Sequence, residues 1–199
     1  MHNFISLPYY GPKEAAEGST DTIYHTIPPF SFIDQDGQTI TDKTFEGKIY
    51  VTDFFFASCQ SICPKMAANM HVVQEAFKDY DSIMMLSHTV NPRYDTVEVL
   101  KKYLNDVHAN TKQWRFVTGS KKELYEIAYK GYLLNAVEDT TQTDIQNQFL
   151  HDEHFILVDR EKHIRGIYDG TSLVDVNKLI DDIKLLTAEY IIKSKKKKK

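Results

Sequence analysis

Cysteine is scarce in this chain: two among 199 residues, Cys59 and Cys63. With 42% apolar residues there is material for a real core, so the pair is not needed as a staple of the kind small secreted scaffolds use. Long apolar runs are missing too. No stretch approaches the roughly 18 residues that a spanning helix needs. Met1-His2-Asn3-Phe4 lacks a basic region followed by an apolar one. The expectation is a cytosolic protein or one whose targeting segment has been removed. Positive charge is also in short supply. The net charge is −4, and Lys195 to Lys199 supply five positive charges, leaving a body near −9. That argues against a nucleic-acid surface and is compatible with a basic partner or with plain solubility. There is no internal repeat, and the length suits one domain.

Residues 1–22, with Pro8, Gly11, Pro12 and Gly18, read as an extended leader, 23–192 as the domain and 193–199 as a disordered lysine-rich tail. Phe30 to Ile33 and Gln38 to Ile40 flank Asp36-Gly37, a hairpin signal, and Thr41-Asp42 precedes a short turn of helix. Lys48 to Phe56 is too continuously apolar for a strand with one wet face and reads as a central strand. A helix follows from Pro64 to Lys78, then a buried strand from Ile83 to Val90. Asp95, as cap, opens a helix to Val107. Trp114 to Val117 is a short strand, and Ser120 with Glu123 makes a capping box for a helix through Tyr129. Glu138 to Gln148 is a polar inserted loop. His154 to Val158 and Ile164 to Tyr168 form a second hairpin, and Val174 to Ile192 a terminal helix. Alternating strands and helices imply right-handed crossovers and a parallel centre. With the closing hairpin and helix, this predicts a thioredoxin-like three-layer α/β fold. Its mixed, mostly parallel sheet is flanked by helices and extended by an N-terminal β-hairpin.

The chemistry concentrates in Asp53-Phe54-Phe55-Phe56-Ala57-Ser58-Cys59-Gln60-Ser61-Ile62-Cys63-Pro64. A buried strand delivers two thiols to the start of a helix, with Pro64 expected at the first helical position. The positive end of the helix dipole favours thiolates there, and open α/β sheets place their sites at the carboxyl ends of such strands. The spacing puts the sulfurs about one turn apart. The pair can bridge, react or ligate a soft metal such as Cu(I) or Zn(II). Asp53 is a carboxylate inside an apolar strand, where burial raises its pKa; it is a proton acceptor for the thiols or a residue fixing a polar pocket. Of the eight histidines, His151 and His154 precede the strand expected to come near Cys59, and a neutral imidazole suits copper or zinc. His88 is expected to point toward the same rim. His71 and His108 read as solvent-facing helical residues, and His2, His25 and His163 carry no argument. Arg93, in the turn Asn91-Pro92-Arg93-Tyr94-Asp95-Thr96, is placed to offer charge to the thiolates or to an acidic partner.

Taken together, these segments resemble the Sco/SenC family of copper-delivery proteins. The residues that carry the resemblance are Asp53 to Met66, with a Cys-x3-Cys-Pro signature, Val90 to Thr96, Trp114-Arg115-Phe116-Val117-Thr118-Gly119, and His151 to Asp159 followed by Gly166. They keep the family's order over residues 28–190. The resemblance implies a redox pair and copper ligands at Cys59 and Cys63. A third ligand falls at His151 rather than His154, which lies on the opposite side of an extended segment. Asp53, His154 and Arg93 surround that site; thioredoxin has an Asp at the spacing of Asp53. It further implies Cu(I) or Cu(II) as cargo, or no metal in an apo or disulfide form. The implied partners are the copper-site subunit of cytochrome c oxidase and a thiol reductant, and the implied location is the extracytoplasmic (periplasmic) face of a membrane, through a tether not visible in this chain. Asn91 and Val97 depart from the family's usual Asp and Pro. The rival class is a thiol-disulfide oxidoreductase acting on oxidase-subunit cysteines. A thiol peroxidase would need Thr and Arg support before Cys59, and structural zinc a fourth ligand.

Overall fold

In the computed structural model, which describes residues 6–15, 22–134 and 152–196, the run Ile49–Phe55 forms a strand, β5, whose seven residues are all buried. Three short strands and a hairpin partner precede it: β1 (Lys13–Ala15), β2 (Thr22–Tyr24), β3 (Ser31–Asp34) and β4 (Thr39–Thr41). After it come α1 (Ile62–Ala76), β6 (Ile83–Thr89), α2 (Val97–Asp106), β7 (Trp114–Thr118), α3 (Lys121–Glu126), β8 (His154–Val158), β9 (Ile164–Asp169) and α4 (Leu173–Lys196). Seven strands make one sheet in the order β4-β3-β7-β6-β5-β8-β9, and β1 and β2 form a separate antiparallel ribbon. Parallel pairing is confined to β5–β6 and β6–β7; the outer pairs are antiparallel. The sheet is therefore mixed, with its parallel part at the centre, where crossover helices cover it.

Strand alternation sorts the core into two layers. On β5, Phe55 stacks on Tyr103 of α2, with ring centroids 4.9 Å apart, and Asp53 shares that face. Phe54 faces the other way and stacks on His88 of β6 at 4.8 Å. In the β3–β4 turn Gly37 takes φ +73°, a left-handed conformation that glycine adopts without steric cost.

Three local readings shift. The first long helix begins at Ile62, so Pro64 is its third residue, still within the turn whose N–H groups have no helical partner. Thr96, not Asp95, caps α2, its hydroxyl accepting from Val99 N. The last helix continues through Lys196, into the stretch expected as tail. The start of the described leader is tied to the body: Leu7 is buried, and Tyr10 N donates to Ile164 O at 3.0 Å. The Glu138–Gln148 loop lies outside the described residues.

Candidate dithiol site

β5 ends at Phe55, and Cys59 N donates to Phe56 O at 3.1 Å, closing a tight turn before α1. Cys59 therefore precedes the helix while Cys63 is its second residue. Both are free thiols and both are buried. Their environments differ. Burial pushes the Cys59 thiol up, but hydrogen bonds from the Ser61 hydroxyl, the Cys63 thiol and the Cys63 and Ser61 backbone outweigh it, and the net shift is downward. Cys59 Sγ lies 3.5 Å from Ser61 Oγ. Cys63 moves far upward, chiefly by burial, against which a Phe56 backbone hydrogen bond is too weak; Cys59 and Asp53 push the same way as burial. One sulfur is thus ready to ionise and the other keeps its proton until something replaces it.

Asp53 lies on the thiol side of the sheet. It pairs in register with Ser87 of β6, whose hydroxyl donates to Asp53 Oδ1. Trp114 Nε1 in turn donates to Ser87 Oγ at 2.8 Å. Burial raises the Asp53 carboxyl to about 7, with the Ser87 hydrogen bond opposing and the Asp152 charge adding to the rise. The influence of Asp152 fits the sheet topology. β8 runs antiparallel to β5, so the chain entering β8 arrives at the end of β5 that leads to Cys59. His151 lies outside the described residues. His154 opens β8 with its side chain 45% exposed and Nδ1 3.2 Å from Asp152 Oδ1. Arg93 is exposed and lies over Tyr94, 5.6 Å from the ring centroid, with no ion pair among the described residues.

His88 does not reach the rim. Because Ser87 faces Asp53, His88 must face the opposite layer, where it is wholly buried among Phe30, Phe32, Phe54 and Tyr132. Thr52 Oγ1 donates to Leu86 O at 2.7 Å, so its contact of 3.1 Å with His88 Nδ1 makes Nδ1 the protonated nitrogen. Burial holds the imidazole neutral, down to about 3. His71 is only half-buried on α1, and His108 is exposed as expected but lies just beyond the end of α2, at φ +54°.

Asp95 is the residue that reading the sequence missed. Its Oδ2 accepts from Ala57 N at 3.1 Å and from the Thr89 hydroxyl, tying the loop before Cys59 to the end of β6. Its buried carboxyl is raised, mainly by burial, with those two hydrogen bonds opposing. The available signal was a helix-start acid beside an adjacent capping Thr, which left the acid free for another role.

A second cluster, Asp159, Glu161 and His163, brings donor atoms together in the β8–β9 turn. Asp159 is committed elsewhere: Oδ2 pairs with Arg165 Nη1 at 2.9 Å, and Oδ1 accepts from Glu161 N and His163 N.

Comparison with known proteins places this geometry among relatives. The family model SCO1/SenC matches residues 18–188. The chain is 28% identical over 166 residues to the SCO1 protein homolog of Bacillus subtilis, covering 82% of this chain and 84% of that protein. Its fold matches the crystal structure of a SCO1/SenC family lipoprotein from Bacillus anthracis with a TM-score of 0.73 at 28% identity, over 81% of this chain and 95% of that one. It also matches BsSco, a Sco-family cytochrome c oxidase assembly protein described with a disulfide switch, with a TM-score of 0.70 at 27% identity over 81% and 93%.

Proposed function

The chain belongs to the SCO1/SenC family, and from that premise we propose that it carries copper in cytochrome c oxidase assembly, holding the metal through Cys59, Cys63 and His151 and passing it to the binuclear copper site. The observation that carries this reading is a free, buried pair of thiols at a helix start. Two sulfurs are soft donors that suit Cu(I), and they must be reduced and deprotonated to bind, so loading releases protons. Cys59 gives up its proton the more readily. The Cys63 proton leaves as the metal takes its place, and Asp53 is positioned on that side of the sheet as an acceptor. His151 precedes Asp152, whose charge reaches Asp53, which supports an imidazole arriving from the β8 side. We assign the protein to an extracytoplasmic, membrane-tethered setting by the same family logic. Among the described residues no helix is long and apolar enough to cross a membrane.

The unequal thiols favour a second activity at the same site, reduction of a partner's disulfide. Cys59 is the attacking thiolate and Cys63 the resolving thiol. Anaerobic Cu(I) titration separates the two. The copper reading requires stoichiometric tight binding by the reduced protein, its loss in Cys59→Ser and its weakening in His151→Ala. Tight binding retained by Cys59→Ser sinks it, and wild-type affinity in His151→Ala removes the third ligand.

A further inference from the structure

The end of the sheet opposite the dithiol is built differently. Tyr50 at the start of β5 pairs with Val158 at the end of β8, so the β8–β9 turn lies away from Cys59. β5 alone sets the two ends roughly 20 Å apart. His154 at the start of β8 pairs with Asp169 at the end of β9, so α4 begins at the dithiol end and runs back. It finishes against the far turn. There Arg160 N donates to the Tyr190 hydroxyl at 3.3 Å, and the Arg160 guanidinium lies 4.6 Å from the Tyr190 ring centroid. The N-terminal side of the chain joins the body at this end too, where Leu7 N donates to Glu189 Oε1 at 3.0 Å.

A single unpaired lysine is ordinary; what sets this end apart is density. Six of the 24 basic residues and none of the 28 acids fall within residues 190–199. α4 continues through Lys196, so Lys193 and Lys195 are carried on a helix. Both are exposed, and neither they nor Arg160 form an ion pair among the described residues. Ile191 is 51% exposed and shares a helix face with Lys195, one turn on. The acids nearest to them are engaged. Glu161 accepts from the Tyr190 hydroxyl, and Asp159 and Glu189 pair with Arg165. Glu46, Asp79 and Asp81 precede β5 and β6 at the same end of the sheet, which confines the basic patch to its α4 edge.

We propose that this edge seats on an anionic lipid bilayer, its lysines on the headgroup phosphates and Ile191 in the interface, with the dithiol facing away from lipid. A cluster of this size on a helix suits anionic headgroups. The exposed isoleucine beside it adds apolar area that a soluble polyanion has no means to bury. The rest of the chain is strongly acidic and is repelled by the same surface, which fixes the orientation. The inference deepens the membrane setting proposed above by naming the lipid contact and the face that makes it.

Flotation of the full chain with vesicles tests it. The reduced, metal-free protein is expected to float with equal parts phosphatidylcholine and phosphatidylglycerol at low salt, and to be released as salt is added. It should stay behind with phosphatidylcholine alone. Lys193→Gln combined with Lys195→Gln is expected to weaken binding about 25-fold, at roughly fivefold per lysine. Ile191→Ser should weaken it severalfold with the salt dependence kept. Lys102→Glu, a charge reversal beside Ala57 and Ser58 at the dithiol end, should change it little. Iodoacetamide should label Cys59 as fast on floated protein as in solution. No flotation with the mixed vesicles, a loss in Lys102→Glu equal to that of the double variant, indifference to Ile191→Ser, or shielding of Cys59 by lipid would each overturn the proposal. Binding to immobilised polyglutamate as tight as to the vesicles would also overturn it, by making an acidic polypeptide the occupant. If Cu(I) titration fails while flotation behaves as expected, the copper reading falls alone. The reverse pattern removes only the lipid contact.

Discussion

Burial lifts the Asp53 carboxyl from 3.8 to about 7, against the pull of Ser87 and with a push from Asp152. Burial drops the His88 imidazole from 6.5 to about 3, its one opposing influence a backbone hydrogen bond. The signs differ. Asp53 binds its proton more tightly folded than unfolded, so its contribution is complete below about pH 4 and is lost as pH rises through about 7. His88 refuses a proton that the unfolded chain accepts, so its contribution is complete above about pH 6.5 and is lost as pH falls toward 3. Each amounts to on the order of 4 kcal/mol, and between pH 4 and 6.5 they oppose each other. Asp53→Asn keeps an acceptor for Ser87 and removes one slope. Urea unfolding is expected to show the variant more stable than wild type near pH 8, with stability that rises steadily from pH 4 to 6.5. Parallel curves for the two proteins would contradict the assignment. The thiols supply a second residue-level expectation. Brief iodoacetamide treatment near neutral pH should label Cys59 well before Cys63, read by mass spectrometry of the peptides; equal labelling would show that the difference in ionisation is absent.

At the scale of elements, the decisive link is between the Cys59 loop and the turn that follows β6. Asp95→Ala leaves Ala57 N and the Thr89 hydroxyl without their acceptor and is expected to destabilise the fold by about 1–3 kcal/mol. Asp95→Asn, which retains an acceptor oxygen, should recover much of that in urea unfolding. If Ala and Asn behave alike, the link carries no weight. The same region shows where the sequence was legible. Cys59, Cys63 and the strand before them stood out because the dense apolar run Lys48 to Phe56, followed at once by paired thiols, has few other uses. The β3–β4 turn announced itself through Asp36-Gly37. Asp53 was visible as a carboxylate out of place. What failed was parity and distance. His88 sits at the end of β6, near the rim in sequence, but its facing is set by the register Asp53↔Ser87 and Phe54↔His88, which no single strand reveals. Asp95 was read as a cap because capping is local, whereas its actual partners, Ala57 and Thr89, belong to the preceding strands and their loops. Arg93, read as offering charge to the thiolates or to an acidic partner, is exposed and lies over the Tyr94 ring.

Across the whole molecule, the leader and the body are held together by a buried cation. Arg165 on β9 is 1% exposed. It pairs with Asp159 at 2.9 Å and Glu189 at 3.4 Å, donates to Leu7 O and Pro8 O, and has its guanidinium 4.2 Å from the Tyr9 ring centroid. Arg165→Met strands two buried carboxylates and should cost about 3–5 kcal/mol, with faster tryptic cleavage at Lys13 as the leader loses its anchor. A variant of wild-type stability that is cleaved no faster would show that the leader is held by other means. The dithiol, its Asp95 brace and the chain entering β8 lie at one end of the sheet, where the proposed function requires a metal to be held. X-ray absorption spectroscopy of the reduced protein loaded with one equivalent of Cu(I) tests this most directly. Two sulfur neighbours and one imidazole nitrogen per copper, with the nitrogen lost in His151→Ala, is the expected result. Copper with fewer than two sulfur neighbours, or a spectrum unchanged in His151→Ala, would contradict it.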